Sequence, residues 1–225
     1  MKGKHPFVSS APLFISFEGI DGSGKSTQIK KISQEMDRNR IPHIITREPG
    51  GCVFAERLRE VLLSEEGASV PSLAQAFGMI GGRIAHVEQV IKPALCSGRW
   101  VLCDRFMDST TVYQGFVGGV PLEDIDRLHC ISLKGMVPDL TFVLDLPADA
   151  AKARLKGGDQ DAYDVKSFNF FKKCVHSFQE VVKQNPLRCV SIDARQETNE
   201  VTKTILAHIA HHGLSHTPLD TLASE

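Results

Sequence analysis

The chain has 225 residues, with 26 Lys and Arg against 27 Asp and Glu, for a net charge of −1. That length suits one domain, or one with a small insertion, able to bury a large core without disulfides or metals. The balanced charge argues against a nucleic-acid groove or an anionic membrane surface, and no apolar run approaches the length of a membrane span.

Residues 1–12 lack a signal-type apolar core and are expected to form a disordered extension. The mostly apolar run Leu13–Phe17 then reads as a strand. It leads through Glu18 into Gly19-Ile20-Asp21-Gly22-Ser23-Gly24-Lys25-Ser26, with Thr27 behind. This fits G-x-x-x-x-G-K-[ST], a loop whose glycines let backbone N–H groups turn toward phosphates. Lys25 has the reach for terminal phosphates, and the Ser26 hydroxyl suits Mg²⁺. Ile29, Ile32 and Met36 recur at helical spacing, so a helix over Ser26–Asn39 is expected to direct its positive end at the anion.

A second strand, Ile44–Thr46, runs into Thr46-Arg47-Glu48-Pro49-Gly50-Gly51. The guanidinium of Arg47 matches phosphate geometry; the same residues also suit a tight turn with a surface ion pair. Helical patterns cover Phe54–Leu63 and Ser72–Leu95, and the strand Trp100–Cys103 follows, ending in Asp104-Arg105. Asp104 stands where a phosphate-loop enzyme keeps the acid that holds Mg²⁺; a capped strand end with a local salt bridge is the simpler alternative. Arg105 replaces the water-activating Glu of many hydrolytic ATPases, which favours transfer to a bound acceptor. Ser109 and Thr110 can start a helix, and Tyr113 and Gln114 can be ordinary half-buried residues. Helices over Leu122–Lys134, Ala148–Leu155, Lys166–Lys183 and Glu197–His211 alternate with strands over Leu140–Leu146 and Cys189–Ile192.

This alternation predicts an α/β fold of the P-loop NTPase type: a five-stranded parallel sheet with helices on both faces. Its ligands belong beyond the carboxyl ends of the strands. The expected organisation is a single domain over residues 13–212 and a flexible tail over 213–225. Six cysteines without C-x-x-C pairing read as reduced thiols of a cytoplasmic protein. His208, His211 and His212 lack a carboxylate or thiol at ligand spacing and are not read as a metal site.

Taken together, the chain resembles the thymidylate kinases (dTMP kinases) of bacterial type. The resemblance rests on Phe17-Glu18-Gly19 into the phosphate loop, Thr46 to Gly51, and Val90-Ile91-Lys92-Pro93-Ala94-Leu95. It continues through Asp104-Arg105-Phe106, Ser109-Thr110, Tyr113-Gln114-Gly115 and Pro138-Asp139-Leu140. It implies transfer of the ATP γ-phosphate to dTMP with Mg²⁺, by a homodimer. It also implies residue roles. Gly19 to Thr27 would bind ATP, with Lys25 neutralising charge and Ser26 and Asp104 handling the metal. Asp21 would lie near the deoxyribose 3′-OH. Arg47 and Arg105 would grip the acceptor phosphate, and Glu48 would help hold a metal–water network beside it. Arg83 would recognise thymine O4. Ser109, Thr110 and Gln114 would line the base pocket, and Tyr113 would crowd the sugar 2′ position.

Three departures from the family pattern stand out. Met79 occupies the place of a Phe that stacks on thymine; Phe77 could replace it only with a register shift. The lid, about residues 155–165, has Ala162 where an Arg is usual, which leaves Arg154 and Lys156 as the cations for ATP or as decoration of a helix end. Gly157-Gly158 can serve as a hinge or end the preceding helix. Two rivals remain: another nucleoside or nucleotide kinase, and a P-loop switch protein. A guanine switch would carry Asn-Lys-x-Asp and Asp-x-x-Gly, and neither stands in a suitable place.

Overall fold

The computed structural model describes residues 7, 11–155 and 168–215. In chain order it runs β1 (Phe14–Glu18), α1 (Lys25–Arg38), β2 (His43–Arg47), α2 (Val53–Leu62), α3 (Glu65–Ser69) and α4 (Ser72–His86). A π-helical turn, Val87–Ile91, leads to α5 (Lys92–Cys96), β3 (Trp100–Asp104) and α6 (Met107–Thr110). A second π-helical stretch, Thr111–Val117, precedes α7 (Leu122–Leu133), β4 (Leu140–Asp145), α8 (Ala148–Leu155), α9 (Phe168–Gln184), β5 (Cys189–Asp193) and α10 (Thr198–Ser215).

The five strands form one sheet in the order β2-β3-β1-β4-β5, every pair parallel. β1 is buried along its whole length, as its unbroken apolar run requires of a strand covered on both faces. The pleat splits its side chains. Ile15 and Phe17 join α1, α9 and α10 in one core, where Ile29, Ile32 and Met36 supply the α1 stripe. Phe14 faces the other way, with Val101, Cys103, Phe106, Ile91 and Leu133. Phe7 packs edge-on against Trp100 at 5.7 Å between centroids, although it belongs to the stretch expected to be an extension.

Two interactions lock the sheet to its surroundings. Asp139 Oδ2 accepts the first β1 amide, Phe14 N–H, at 2.7 Å. Arg188 donates to both oxygens of buried Asp108 at 2.7 Å, tying the start of β5 to α6.

The single helix expected over Ser72–Leu95 is instead α4, a π turn and α5. Pro93 explains the break: it has no N–H for the carbonyl four residues back, and its ring crowds that carbonyl, so the turn before it widens. The short α3 carries too little periodicity to stand out in the sequence; the Ser64 hydroxyl caps it by accepting from Gly67 N–H at 3.1 Å. Helix α10 runs four residues past the expected end at His211. Residues 156–167, which hold nearly all of the lid expected at about 155–165 with Lys156, Gly157, Gly158 and Ala162, lie outside the described residues, as does the tail from 216 onward.

Parallel register brings the carboxyl ends together. Phe17 and Arg47 both stand beside Asp104, so the loops after β1, β2 and β3 leave the sheet at one edge. That edge is where a twisted parallel sheet opens a crevice.

Candidate active site

The phosphate loop follows β1 directly. Gly22 and Gly24 adopt φ of 78° and 99°, backbone that a β-carbon would strain. Lys25 opens α1, and its Nζ donates to Gly19 O at 3.1 Å and Ile20 O at 3.0 Å, so its ammonium lies across the cradle. Burial, and then the neighbouring Arg105, pull its pKa down to about 8. The Ser26 hydroxyl lies 3.0 Å from Asp104 Oδ2. A hydroxyl and a carboxylate at that separation form a hard-oxygen donor set suited to Mg²⁺.

Arg105 sits in the left-handed region at φ 67°, a costly conformation for a side chain of its size. Its N–H donates to Phe17 O at 2.9 Å. The next amide, Phe106 N–H, donates to Glu18 Oε1 at 2.7 Å, and the Ser109 hydroxyl donates to Glu18 Oε2 at 2.6 Å. This turn aims the guanidinium into the crevice. There it pairs with Asp21, donates to Ser109 Oγ at 3.2 Å and lies over the Tyr113 ring at 5.3 Å. Glu18 is fully buried; desolvation, and then the nearby Asp108 charge, push its carboxyl up to about 7.

Two cavities meet at this corner. The larger, about 630 Å³, is lined by the phosphate loop, Arg47, Asp104, Arg154 and the start of α10. The smaller, about 320 Å³, is lined by Met79, Arg83, Phe106, Ser109, Thr110, Tyr113 and Gln114 among others. Asp21, Glu48, Arg59 and Arg105 line both. One cavity thus offers glycine amides and cations, the other a mostly apolar slot, and charged residues stand at their junction.

Several expected residues take more definite places than the sequence suggested. Arg47 is held by Glu56, Nη2 to Oε2 at 2.9 Å, at the rim of the larger cavity. Glu48 is nearly fully buried, with its oxygens on Arg83 Nε at 2.6 Å and His86 Nδ1 at 3.0 Å. Glu48 is thus held between Arg83 and His86, while the Arg47–Glu56 pair stays exposed. Arg83 also donates to Phe106 O at 3.1 Å and Thr110 Oγ1 at 3.0 Å. Gln114 Nε2 donates to Gln75 Oε1 at 3.3 Å. Met79 lines the smaller cavity, whereas Phe77 is exposed and lines neither. Arg154 donates to Ala194 O at 3.0 Å and reaches Gly22 O at 3.4 Å. Arg195, beyond β5, is engaged by Asp193 at 2.9 and 2.8 Å.

Four residues were not singled out from the sequence. Arg59 donates to Pro49 O at 2.8 Å and lines both cavities. Its place in an amphipathic helix reads as an ordinary solvated face. Gln75, His86 and His129 likewise sit in helical runs, where nothing local distinguishes a functional side chain from a filler.

A family model for thymidylate kinase matches residues 17–205. The chain belongs to the thymidylate kinase family. Among its relatives, the thymidylate kinase of Symbiobacterium thermophilum is 38% identical over 193 residues, 86% of this chain and 90% of that protein. That of Rhodopseudomonas palustris is 40% identical over 197 residues, 85% and 86% of the two chains. The crystal structure of thymidylate kinase from Ehrlichia chaffeensis superposes with a TM-score of 0.72 at 30% identity, covering 88% of this chain and 99% of that one.

The raised Glu18 carboxyl has a consequence for stability. Its folded pKa, about 7, lies above the ordinary carboxyl value of 4.5. Its contribution to stability is therefore fully present below the unfolded pKa and is lost as pH rises through the folded value. Thermal melts of the wild type and Glu18→Gln from pH 4.5 to 8 check this. The wild type is expected to lose ground steadily against the variant as pH rises. Parallel melting curves would show that Glu18 keeps its ordinary pKa.

Proposed function

We propose that the chain transfers the γ-phosphate of ATP to dTMP, giving ADP and dTDP for deoxythymidine triphosphate synthesis. The observation that carries this reading is the junction of two cavities at Asp21, Arg59 and Arg105, where two anionic ligands would meet end to end.

ATP lies on Gly19 to Thr27, with its phosphates on the loop amides and Lys25. Mg²⁺, held by Ser26 and Asp104, would disperse phosphate charge. Ala194 and Gln196 also line the larger cavity, and would border the adenine. The acceptor phosphate sits at Arg105, with Arg47 and Arg59 beside it, and Asp21 meets the sugar 3′ side. The base enters the slot between Met79 and Tyr113, with Ser109, Thr110, Gln114 and Arg83 on its polar edges. A phosphomonoester loses its second proton near pH 6, so the attacking oxygen is already anionic at neutral pH. The protein therefore has to align and neutralise rather than remove a proton. Arg154, and Lys156 beyond the described residues, supply the cation on the donor side.

The protein is proposed to be cytoplasmic, which its free thiols support. No helix among the described residues is long and apolar enough to cross a membrane. A homodimer is proposed through α2 and α4, which pack side by side and leave Phe54, Val61, Leu73, Phe77 and Ile84 exposed.

An acceptor panel of dTMP, dUMP, dCMP and thymidine with ATP and Mg²⁺ tests the activity. Turnover is expected to be fastest with dTMP and negligible with thymidine; a preference for thymidine would replace this reading with a nucleoside kinase. In the same assay Arg154→Ala is expected to lower kcat by about tenfold or more, and an unchanged kcat would remove Arg154 from the donor side. Met79→Phe is expected to tighten dTMP binding by adding a stacking face, as isothermal titration would register; unchanged affinity would put Met79 away from the base. Sedimentation is expected to give the mass of a dimer, and Phe77→Glu with Phe54→Glu is expected to give a monomer.

A further inference from the structure

Arg83 carries five N–H donors in one plane. Four are used inside the protein. Nε donates to Glu48 Oε2 at 2.6 Å, the two on Nη2 go to Phe106 O at 3.1 Å and Thr110 Oγ1 at 3.0 Å, and one on Nη1 points to His129 Nε2 at 3.5 Å. The fifth, also on Nη1, has no partner among the described residues, and Arg83 lines the smaller cavity. The guanidinium also lies over the Phe106 ring at 5.1 Å.

The carboxylate that holds Nε is itself held. Its Oε1 accepts from His86 Nδ1 at 3.0 Å, and His86 Nε2 lies 2.6 Å from Thr46 Oγ1. Glu48 and Arg83 are nearly fully buried, and His86 completely so. The backbone closes the arrangement from behind: a β-carbon on Gly51 would lie 2.3 Å from His86 Nε2 and 2.7 Å from Thr46 Oγ1. On the other side of Arg83, His129 stays neutral because burial, then Arg83 and Arg188, pull its pKa down to about 3. A guanidinium can only donate, so Nε2 is the acceptor of this pair and the imidazole proton sits on Nδ1.

We propose that Glu48 and His86 are positioning residues that lock Arg83 with a single N–H facing the base, and so select a pyrimidine with a 4-oxo group over one with a 4-amino group. This rests on the dTMP reading above. A 4-oxo group accepts the remaining N–H. A 4-amino group sets N–H against N–H and leaves both unpaired in a buried site. That penalty exists only while Arg83 cannot turn aside. A guanidinium with a loose Nε side could rotate and admit the amino group through a water. Glu48 thereby acts on base choice, through Arg83, rather than on the metal.

The test uses the full chain. Binding of dTMP and dCMP is measured by calorimetry without Mg²⁺ or ATP, alongside kcat/KM for both acceptors. The wild type is expected to prefer dTMP. Glu48→Ala is expected to cut that preference by about tenfold or more, through weaker dTMP binding in the absence of metal, with KM for ATP and half-saturation by Mg²⁺ little changed. His86→Leu leaves Glu48 in place but releases its Oε1, and is expected to shift the preference the same way by a smaller factor; it decides the matter if Glu48→Ala does not fold. Equal weakening of dTMP and dCMP overturns the proposal. So does unchanged metal-free dTMP binding with a raised Mg²⁺ requirement. A wild type that fails to phosphorylate dTMP sinks the kinase reading instead, while its metal-free preference between the two nucleotides still judges the lock on Arg83.

Discussion

Glu18 ends the central strand with no route to water, and its two oxygens gather Phe106 N–H, Ser109 N–H and the Ser109 hydroxyl. The left-handed turn at Arg105 depends on that gathering. A residue with a β-carbon enters this region at a cost of roughly 1–2 kcal/mol, and the flanking bonds to Phe17 O and Glu18 offset it. Without the turn, Arg105 would continue the line of β3 and its guanidinium would miss Asp21. The buried carboxylate therefore sets the direction of a cation that both cavities share.

Phosphoryl transfer asks a protein for alignment and for dispersal of charge. The parallel sheet supplies the first by register: Phe17, Arg47 and Asp104 stand side by side at one edge. The loops supply the second. Lys25 crosses the cradle, Arg154 leans on the phosphate loop through Gly22 O, and Arg59 comes in from α2. These cations come from separate elements, so their mutual repulsion is carried by the fold as a whole. Acids stand among them: Asp21 on Arg105, Glu56 on Arg47 and Glu48 on Arg83.

The phosphate loop, the strand ends and the alternation of elements were legible because each has a local chemical reason. Glycines permit positive φ, unbroken apolar runs demand cover on both faces, and a strand that ends in Asp-Arg exposes charge where parallel sheets open. The break at Val87–Ile91 was less legible, although Pro93 was in plain view, because helical periodicity runs straight through it. Arg59, Gln75, His86 and His129 were illegible for a different reason. Each lies on a helix whose pattern is satisfied by any polar residue, and its meaning comes from a partner 10 to 46 positions away. Glu48 was found, but not its protein partners: its place in a turn beside Arg47 gives no sign that folding delivers Arg83 and His86 to its oxygens.

His129 gives its Nε2 to Arg83 and keeps its proton on Nδ1, which is buried without a hydrogen-bond partner among the described residues. A buried donor left unmet costs roughly 1–3 kcal/mol. An ordered water would meet this one. An apolar substitute for His129 would tighten the core and, by the same stroke, take away the acceptor that steadies the guanidinium above it.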